Sequence, residues 1–288
     1  MMRSMLFVPG DRPDRFAKAQ ASGADAIILD LEDAVVPERR PHARDEITKW
    51  LASGDRAVPA WVRINPVEGE EAARDLAAVI EGRPDGIVLP KARDGDDVRR
   101  VDHWLEILEA RLGLERGRVL LLPLVTESAG AVLAAPTFTR LPARVVGLTW
   151  GAEDLAADLG ALANRTPDGE FEFTYQLARS AVLLVSAAAG VAAVDTVDTE
   201  IRDAAAIERR ARASRRQGFV AKLAIHPAQI GPIHAAFTPG EDEVRWAERV
   251  LAAFREAPGR GAVALDGVML DKPHVRQAER ILAAARRR

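Results

Sequence analysis

Apolar residues fall in eight short runs: Ser4–Val8, Ala26–Leu29, Ala60–Ile64, Gly86–Leu89, Val119–Val125, Val145–Leu148, Ala192–Val197 and Val220–Ile225. Within each run they follow one another rather than alternating with polar residues. Strands of a parallel sheet buried on both faces have that pattern. Between the runs the period lengthens, and Pro13–Ser22, Glu70–Glu81, Asp94–Arg111, Glu170–Ala188 and Ile201–Gln217 read as helices. In the third of these, Val98, Val101, Leu105 and Leu108 repeat at helical spacing, Asp94 or Asp96 is placed to cap the start, and Gly113 to stop the helix. Eight strands alternating with helices predict a (β/α)8 TIM barrel, with an open doubly wound sheet as the alternative. The barrel is preferred because the strand count reaches eight. In addition, Gly10-Asp11-Arg12-Pro13 after the first strand lacks the spacing of a dinucleotide or phosphate loop.

The end of the chain breaks the repeat. Pro239–Arg255 sets Val244, Ala247, Val250 and Leu251 on one helical face, Gly261–Leu270 reads as a hairpin turning at Asp266-Gly267, and Pro273–Ala285 as a last helix. The predicted organisation is a barrel domain over 1–230 and a C-terminal helical and hairpin extension over 231–288, ending in a solvated Arg286-Arg287-Arg288 tail.

Composition narrows the chemistry. The 288 residues contain no Cys, which excludes disulfides, thiolate metal sites and a cysteine nucleophile, and fits a reducing compartment. The net charge is −3 with 29% charged residues, so no basic footprint for nucleic acid or membrane is visible. The excess of Arg over Lys reads as GC-rich coding rather than function. The apolar stretch from Ala181 to Val194 falls short of the ~20 residues of a membrane span, and no targeting segment is apparent. The expectation is a soluble cytoplasmic protein.

Polar residues recur where the predicted strands end: Asp11 and Arg12, Asp30 with Glu32 and Asp33, Arg63 and Asn65, Lys91, Thr126 and Glu127, Glu153 and Asp154, Asp195 and Asp198, and His226. In a (β/α)8 barrel these ends converge on the face that carries active sites. The expectation is a mouth rich in carboxylates and poor in bases, which a cation would relieve. Oxygen ligands from Glu127 and Asp154 suit Mg2+ or Mn2+; the competing reading is that either residue caps the following helix. Arg63 at the end of a buried strand needs an anion, either a substrate carboxylate or phosphate or an internal Asp or Glu. Lys91 reads as an ion-pair partner rather than a Schiff-base lysine, and His226 as structural rather than catalytic.

Together these stretches resemble a known family. Leu6-Phe7-Val8-Pro9-Gly10-Asp11-Arg12-Pro13, Leu29-Asp30-Leu31-Glu32-Asp33-Ala34-Val35, Val62-Arg63-Ile64-Asn65 and Leu89-Pro90-Lys91 carry the first half of the resemblance. Thr126-Glu127-Ser128-Ala129-Gly130, Gly151-Ala152-Glu153-Asp154-Leu155, Ile225-His226-Pro227-Ala228-Gln229-Ile230 and Met269-Leu270-Asp271-Lys272-Pro273 carry the second. In this order they resemble the citrate lyase β-subunit-like branch of the HpcH/HpaI aldolase/citrate lyase superfamily.

The resemblance implies a Mg2+-dependent carbon–carbon lyase. Its substrate would be a 3-hydroxy-3-carboxyacyl-CoA thioester such as citryl-, malyl- or citramalyl-CoA, cleaved to or formed from acetyl-CoA and a 2-keto acid. It implies Glu127 and Asp154 as metal ligands, with Glu127 also facing substrate, and Glu32 and Asp33 as carboxylates holding metal-bound water. Arg63 would grip the keto acid, Phe7, Arg12 and Lys18 would contact coenzyme A, and Asp271 would be the base. It also implies a homotrimer or a hexamer of trimeric character, in which Asp271 reaches a neighbouring subunit's site. The loop Arg165-Thr166-Pro167-Asp168-Gly169 varies within the family and is expected to line the acid pocket. Alternatives are a malyl-CoA-type thioesterase, a CoA-independent pyruvate aldolase and a non-catalytic binding subunit. The last is disfavoured because Arg63, Glu127, Asp154 and Asp271 are all present.

Overall fold

The structure, a computed structural model, describes residues 2–54 and 56–286. Arg287 and Arg288 of the expected arginine tail lie outside the described residues. The chain divides into two compact units, 2–233 and 234–288.

The first unit is built on eight parallel strands: β1 (Ser4–Pro9), β2 (Ala26–Asp30), β3 (Ala60–Arg63), β4 (Gly86–Leu89), β5 (Leu120–Pro123), β6 (Gly147–Leu148), β7 (Ala192–Asp195) and β8 (Ala221–Ala224). Their order is β5-β4-β3-β2-β1-β8-β7-β6. Two parallel bridges, Leu121 with Val145 and Leu124 with Thr149, join the outer strands and make the sheet a nearly closed barrel. Where Val145–Leu148 is expected as a strand, only Gly147–Leu148 is regular, because β6 meets β5 through isolated bridges rather than a continuous ladder.

The barrel interior is filled by Met5, Ala26, Ile28, Trp61, Val88, Leu122, Leu124, Val194, Ala221 and Leu223. Trp61 fits only because its neighbour on β4 is Gly86, where a Cβ would lie 2.4 Å from the indole ring. The opposite strand faces are buried too, as every residue of β2 illustrates. That double burial is the physical cause of the unbroken apolar runs.

The crossover helices are α1 (Phe16–Gln20), α2 (Arg40–Ala52), α3 (Glu71–Val79), α4 (Gly95–Arg111), α5 (Ala129–Leu133), α6 (Ala152–Leu159), α7 (Phe173–Ala189) and α8 (Ala204–Gln217). Asp94 is the cap of α4 and accepts from Asp96 N and Asp97 N. Pro13–Ser22 is not one helix, since Pro13–Arg15 forms a 3-10 turn ahead of α1. α2, α5 and α6 carry no separate prediction; α2 has too little apolar segregation to stand out in the sequence. After β8 a 3-10 turn at Pro227–Gln229 leads to α9 (Ile230–Phe237).

The second unit contains α10 (Glu241–Glu256), the antiparallel hairpin β9 (Ala262–Leu265) and β10 (Val268–Asp271), and α11 (Lys272–Ala285). Asp266 and Gly267 both have positive φ, 53° and 77°, as the two-residue hairpin turn requires. Ala247, Val250, Leu270 and Ala278 form its core. Among the described residues, no helix is long and apolar enough to cross a membrane.

Candidate active site

The strand ends are in register, so their side chains meet. Asp30 at the end of β2 is the pairing partner of Arg63 at the end of β3. Arg63 donates to both Asp30 oxygens, from Nε and Nη2, each at 2.6 Å. The same carboxylate accepts Glu32 N and Ala34 N at 3.0 Å, which fixes the loop that carries Glu32 and Asp33. Gly10 allows β1 to approach, since its amide bonds Asp30 O at 2.8 Å and a Cβ there would lie 2.4 Å from that oxygen.

Arg63 Nη1 is 2.8 Å from Glu32 and 3.3 Å from Asp33, and the guanidinium carbon lies 4.7 Å from the centre of the Phe7 ring. Burial works against its charge, but Asp30, Glu32 and Asp33 outweigh that and hold its pKa above the ordinary value.

Lys91 follows β4 and adopts a left-handed backbone, φ 50°. Its amide donates to Glu127 Oε2. Its ammonium lies 2.6 Å from Glu32, 3.3 Å from Asp33 and 3.3 Å from Asp154. Glu127 is 4% exposed, and burial, Asp154 and Glu32 together push its pKa well above the usual carboxylate range. Gly151 makes room for it, because a Cβ there would lie 2.8 Å from Glu127 Cγ and Oε1. Burial also pushes Glu32 up to about 7 against the pull of Arg63, while Arg63 and Lys91 overcome burial at Asp33 and hold it low.

Capping does not explain this placement. Ser128 caps α5 by accepting Ala131 N, and α6 starts at Gly151 with no side-chain cap. Glu127 and Asp154 are therefore free for other work. Five carboxylates (Asp30, Glu32, Asp33, Glu127, Asp154) share two cations (Arg63, Lys91). Glu32 Oε2 sits beside Arg63 but off the line of its N–H bonds, and this buried oxygen accepts no hydrogen bond. No group of three or more His, Asp or Glu forms a complete metal cage among the described residues. A hard divalent cation that keeps several waters and takes one or two carboxylates fits such a donor set.

Asp195 and Lys222 alternate with the inward-facing Val194, Ala221 and Leu223, so they point away from the barrel interior toward α7 and α8. Asp195 is buried and is met by Lys222 Nζ at 3.1 Å, Arg179 Nε at 3.2 Å, Trp150 Nε1 at 2.9 Å and Ser214 Oγ at 2.6 Å. Asp198 is chelated by Arg210 at 2.7 and 3.0 Å. Burial alone would raise Asp195, but Lys222 and Arg179 prevail and depress it far below the usual range. From sequence these acids were placed only among the polar residues at strand ends; their basic partners come from α7, α8 and β8.

Phe7 packs against Arg63. Arg12 is exposed and forks onto Asp14 at 3.0 Å, and Lys18 is exposed on α1. His226 has a structural role, with Nδ1 accepting Ala228 N at the 3-10 turn. Asp271 belongs to the second unit, at the end of β10, with Oδ1 2.7 Å from His274 Nδ1. From sequence, Asp30 was named at the end of its strand but given no role, and Gly151 and the backbone of Lys91 were not singled out. Only the position of Asp30 directly before the Leu31-Glu32-Asp33 run hinted at its role.

The sequence pattern of the HpcH/HpaI aldolase/citrate lyase family matches residues 3–227. A citrate lyase subunit beta-like protein of Mycobacterium tuberculosis is 38% identical over 280 residues, covering 97% of this chain and 94% of that protein. A (3S)-malyl-CoA thioesterase of Cereibacter sphaeroides is 34% identical over 286 residues, covering 98% and 94%. The crystal structure of CitE from Mycobacterium tuberculosis in complex with magnesium, acetoacetate and coenzyme A superposes with a TM-score of 0.82 at 35% identity, covering 99% of this chain and 98% of that one.

Proposed function

Because the chain belongs to the HpcH/HpaI aldolase/citrate lyase family, we propose that it is a Mg2+-dependent carbon–carbon lyase working in the cytoplasm. It cleaves or forms a 3-hydroxy-3-carboxyacyl-CoA thioester such as citryl-, malyl- or citramalyl-CoA, with acetyl-CoA and a 2-keto acid as the other side of the reaction. The observation that carries this reading is the Arg63 guanidinium clamped by Asp30 beside the buried carboxylates Glu32 and Glu127.

In this reading Glu127 and Asp154 hold Mg2+, and Glu32 and Asp33 hold its waters. Bound there, the ion supplies Lewis-acid polarisation of the keto acid's oxygens. In the condensing direction Asp271 takes a proton from the thioester α-carbon. The resulting enolate carbon attacks the keto carbon, and the keto oxygen gains the electron pair. Arg63 balances that alkoxide until it takes a proton from water to become the 3-hydroxyl. The Arg63 fork is held by Asp30, so little reorganisation is needed as the charge develops. Cleavage retraces these steps and returns the proton from Asp271 to the acetyl group. Phe7, Arg12 and Lys18 face the coenzyme A moiety.

The 234–288 unit delivers Asp271 to a neighbouring subunit in a homotrimer or trimer-based hexamer. Mixing inactive Asp271→Asn and Glu127→Gln chains then restores part of the activity, because some sites receive both native residues.

The test of the function is a panel of CoA thioesters assayed with Mg2+. Keto acid release that a chelator abolishes and Mg2+ restores is the expected result. Absence of turnover on citryl-, malyl- and citramalyl-CoA counts against it. The likeness to a (3S)-malyl-CoA thioesterase favours a second reading, hydrolysis of the thioester. Free thiol appearing with malate and without glyoxylate identifies that outcome.

A further inference from the structure

Glu127 and Asp154 stand on either side of the least continuous seam of the barrel. Glu127 follows β5, and Asp154 lies in the first turn of α6, after β6. β6 has only Gly147 and Leu148 in regular strand, and it meets β5 through the isolated bridges of Leu121 with Val145 and Leu124 with Thr149. Toward the mouth, the bond from Val125 N to Thr149 O, 3.0 Å, is the last backbone hydrogen bond across this seam among the described residues. Backbone pairing therefore stops short of both carboxylates. The first turn of α6 is also weakly held by its own backbone, since Gly151 supplies no side-chain cap and the Leu155 N to Gly151 O bond is 3.4 Å long. The two carboxylates repel: burial, and after it Asp154, raise the pKa of Glu127.

Two side chains supply what the backbone does not. Trp150, directly before Gly151, is fully buried, and its Nε1 donates to Asp195 Oδ1 at 2.9 Å. Asp195 is itself fixed by Ser214, Lys222 and Arg179. The Phe171 ring meets the indole edge to face at 5.0 Å. The indole thus anchors the start of α6 from the helix side of the strands. Further along α6, Asp158 Oδ2 accepts Ala129 N at 2.7 Å, an amide two residues past Glu127. A carboxylate in the last turn of a helix opposes the helix dipole, so α6 gains nothing from Asp158 by itself. Asp158 lies four residues after Asp154 and so shares its helix face. One bond therefore ties the chain just past Glu127 to the face of α6 that carries Asp154.

We propose that Trp150 and Asp158 are positioning residues that brace α6 across the β5–β6 seam and hold Asp154 at Glu127, against their repulsion, before a divalent cation arrives. Donors already assembled need less rearrangement when the ion binds. The inference rests on the reading of Glu127 and Asp154 as Mg2+ ligands.

The test is calorimetric titration of Mg2+ into wild type, Asp158→Ala, Asp158→Asn, Trp150→Phe and Ser214→Ala, with chemical denaturation of each in the absence of metal. Asp158→Ala and Trp150→Phe each weaken Mg2+ binding about fivefold or more, the scale of one lost hydrogen bond to a charged group. Asp158→Asn keeps an acceptor for Ala129 N and stays within about twofold of wild type. Ser214→Ala removes a different bond to Asp195 and lowers stability, yet leaves the indole bond in place and Mg2+ binding within about twofold. Unchanged Mg2+ affinity in Asp158→Ala, or in folded Trp150→Phe, overturns the proposal. A loss that Asp158→Asn shares makes the effect one of charge rather than bracing and overturns it. An equal loss in Ser214→Ala makes it general destabilisation and overturns it as well. If Trp150→Phe does not fold, the two Asp158 variants, which alter an exposed side chain, decide. Wild type that takes up no Mg2+ sinks the metal-ligand reading and this inference together. Wild-type uptake matched by every variant sinks the inference alone.

Discussion

Lys91 turns into the left-handed region, φ 50°, and from there its amide donates to the buried carboxylate of Glu127. A side chain other than glycine in that region is uncommon, and such strain persists where surrounding contacts over-determine it. Here the backbone of Lys91 holds Glu127, and its ammonium spans Glu32, Asp33 and Asp154. One residue thus orders four carboxylates.

Replacing the ammonium tests that role. Lys91→Met leaves Asp154 without its cation and Glu32 and Asp33 with Arg63 alone, so their mutual repulsion rises. The metal-free variant is expected to melt a few degrees below wild type, and saturating Mg2+ to raise its Tm by more than it raises that of wild type. Thermal scans with and without Mg2+ decide this; equal Mg2+ increments for both proteins speak against it.

Glu127→Gln separates stability from activity. The amide keeps the shape and an acceptor for Lys91 N–H but removes a charge that burial, Asp154 and Glu32 all disfavour. The metal-free variant should be as stable as wild type or more so. If Glu127 is a metal ligand, Mg2+ no longer stabilises the variant and turnover falls about a hundredfold or more, roughly 2.7 kcal/mol of barrier. Chemical denaturation and steady-state kinetics give the two readouts.

The Arg63–Asp30 pair calls for a double-mutant cycle. Asp30 is 1% exposed, so Arg63→Met alone strands a buried carboxylate and should cost about 3–5 kcal/mol of stability. Asp30→Asn in the same chain should recover most of that loss without recovering activity. A double variant no more stable than Arg63→Met would show that the pair is not coupled.

The pH dependence follows from Glu32, whose folded pKa of about 7 lies above its ordinary 4.5. Between those values the folded protein holds more protons than the unfolded chain, so stability falls as pH rises. The contribution of protonated Glu32 is fully present below about 4.5 and is lost as pH passes through about 7. Metal-free wild type should therefore lose Tm between pH 5 and 7 more steeply than Glu32→Gln. Mg2+ should counter the loss at the upper end, where Glu32 is ionised. Parallel slopes for the two proteins would exclude Glu32 as the source.

The runs Ala26–Leu29 and Gly86–Leu89 marked strands correctly because burial on both faces leaves a local signature, and Asp94 marked a helix start because capping is a short-range hydrogen bond. The polar residues at strand ends were legible for the same reason, as was the Asp266-Gly267 turn. What sequence by itself determined was therefore much of the inventory: eight buried strands, five of the eight crossover helices, and Arg63, Glu127 and Asp154 near strand ends. Tertiary structure decided the partnerships. Asp30 clamps Arg63 through β2–β3 register, Gly151 opens space for Glu127, and Phe171 carries Arg165 on a ring stacked against Trp150. It also gathered five carboxylates around Arg63 and Lys91 and met Asp195 with Lys222 and Arg179 on the helix side of the strands. Such pairings depend on which strand lies beside which and on which helix folds back over it. Charge in a folded protein is balanced across those distances, between residues far apart in the chain.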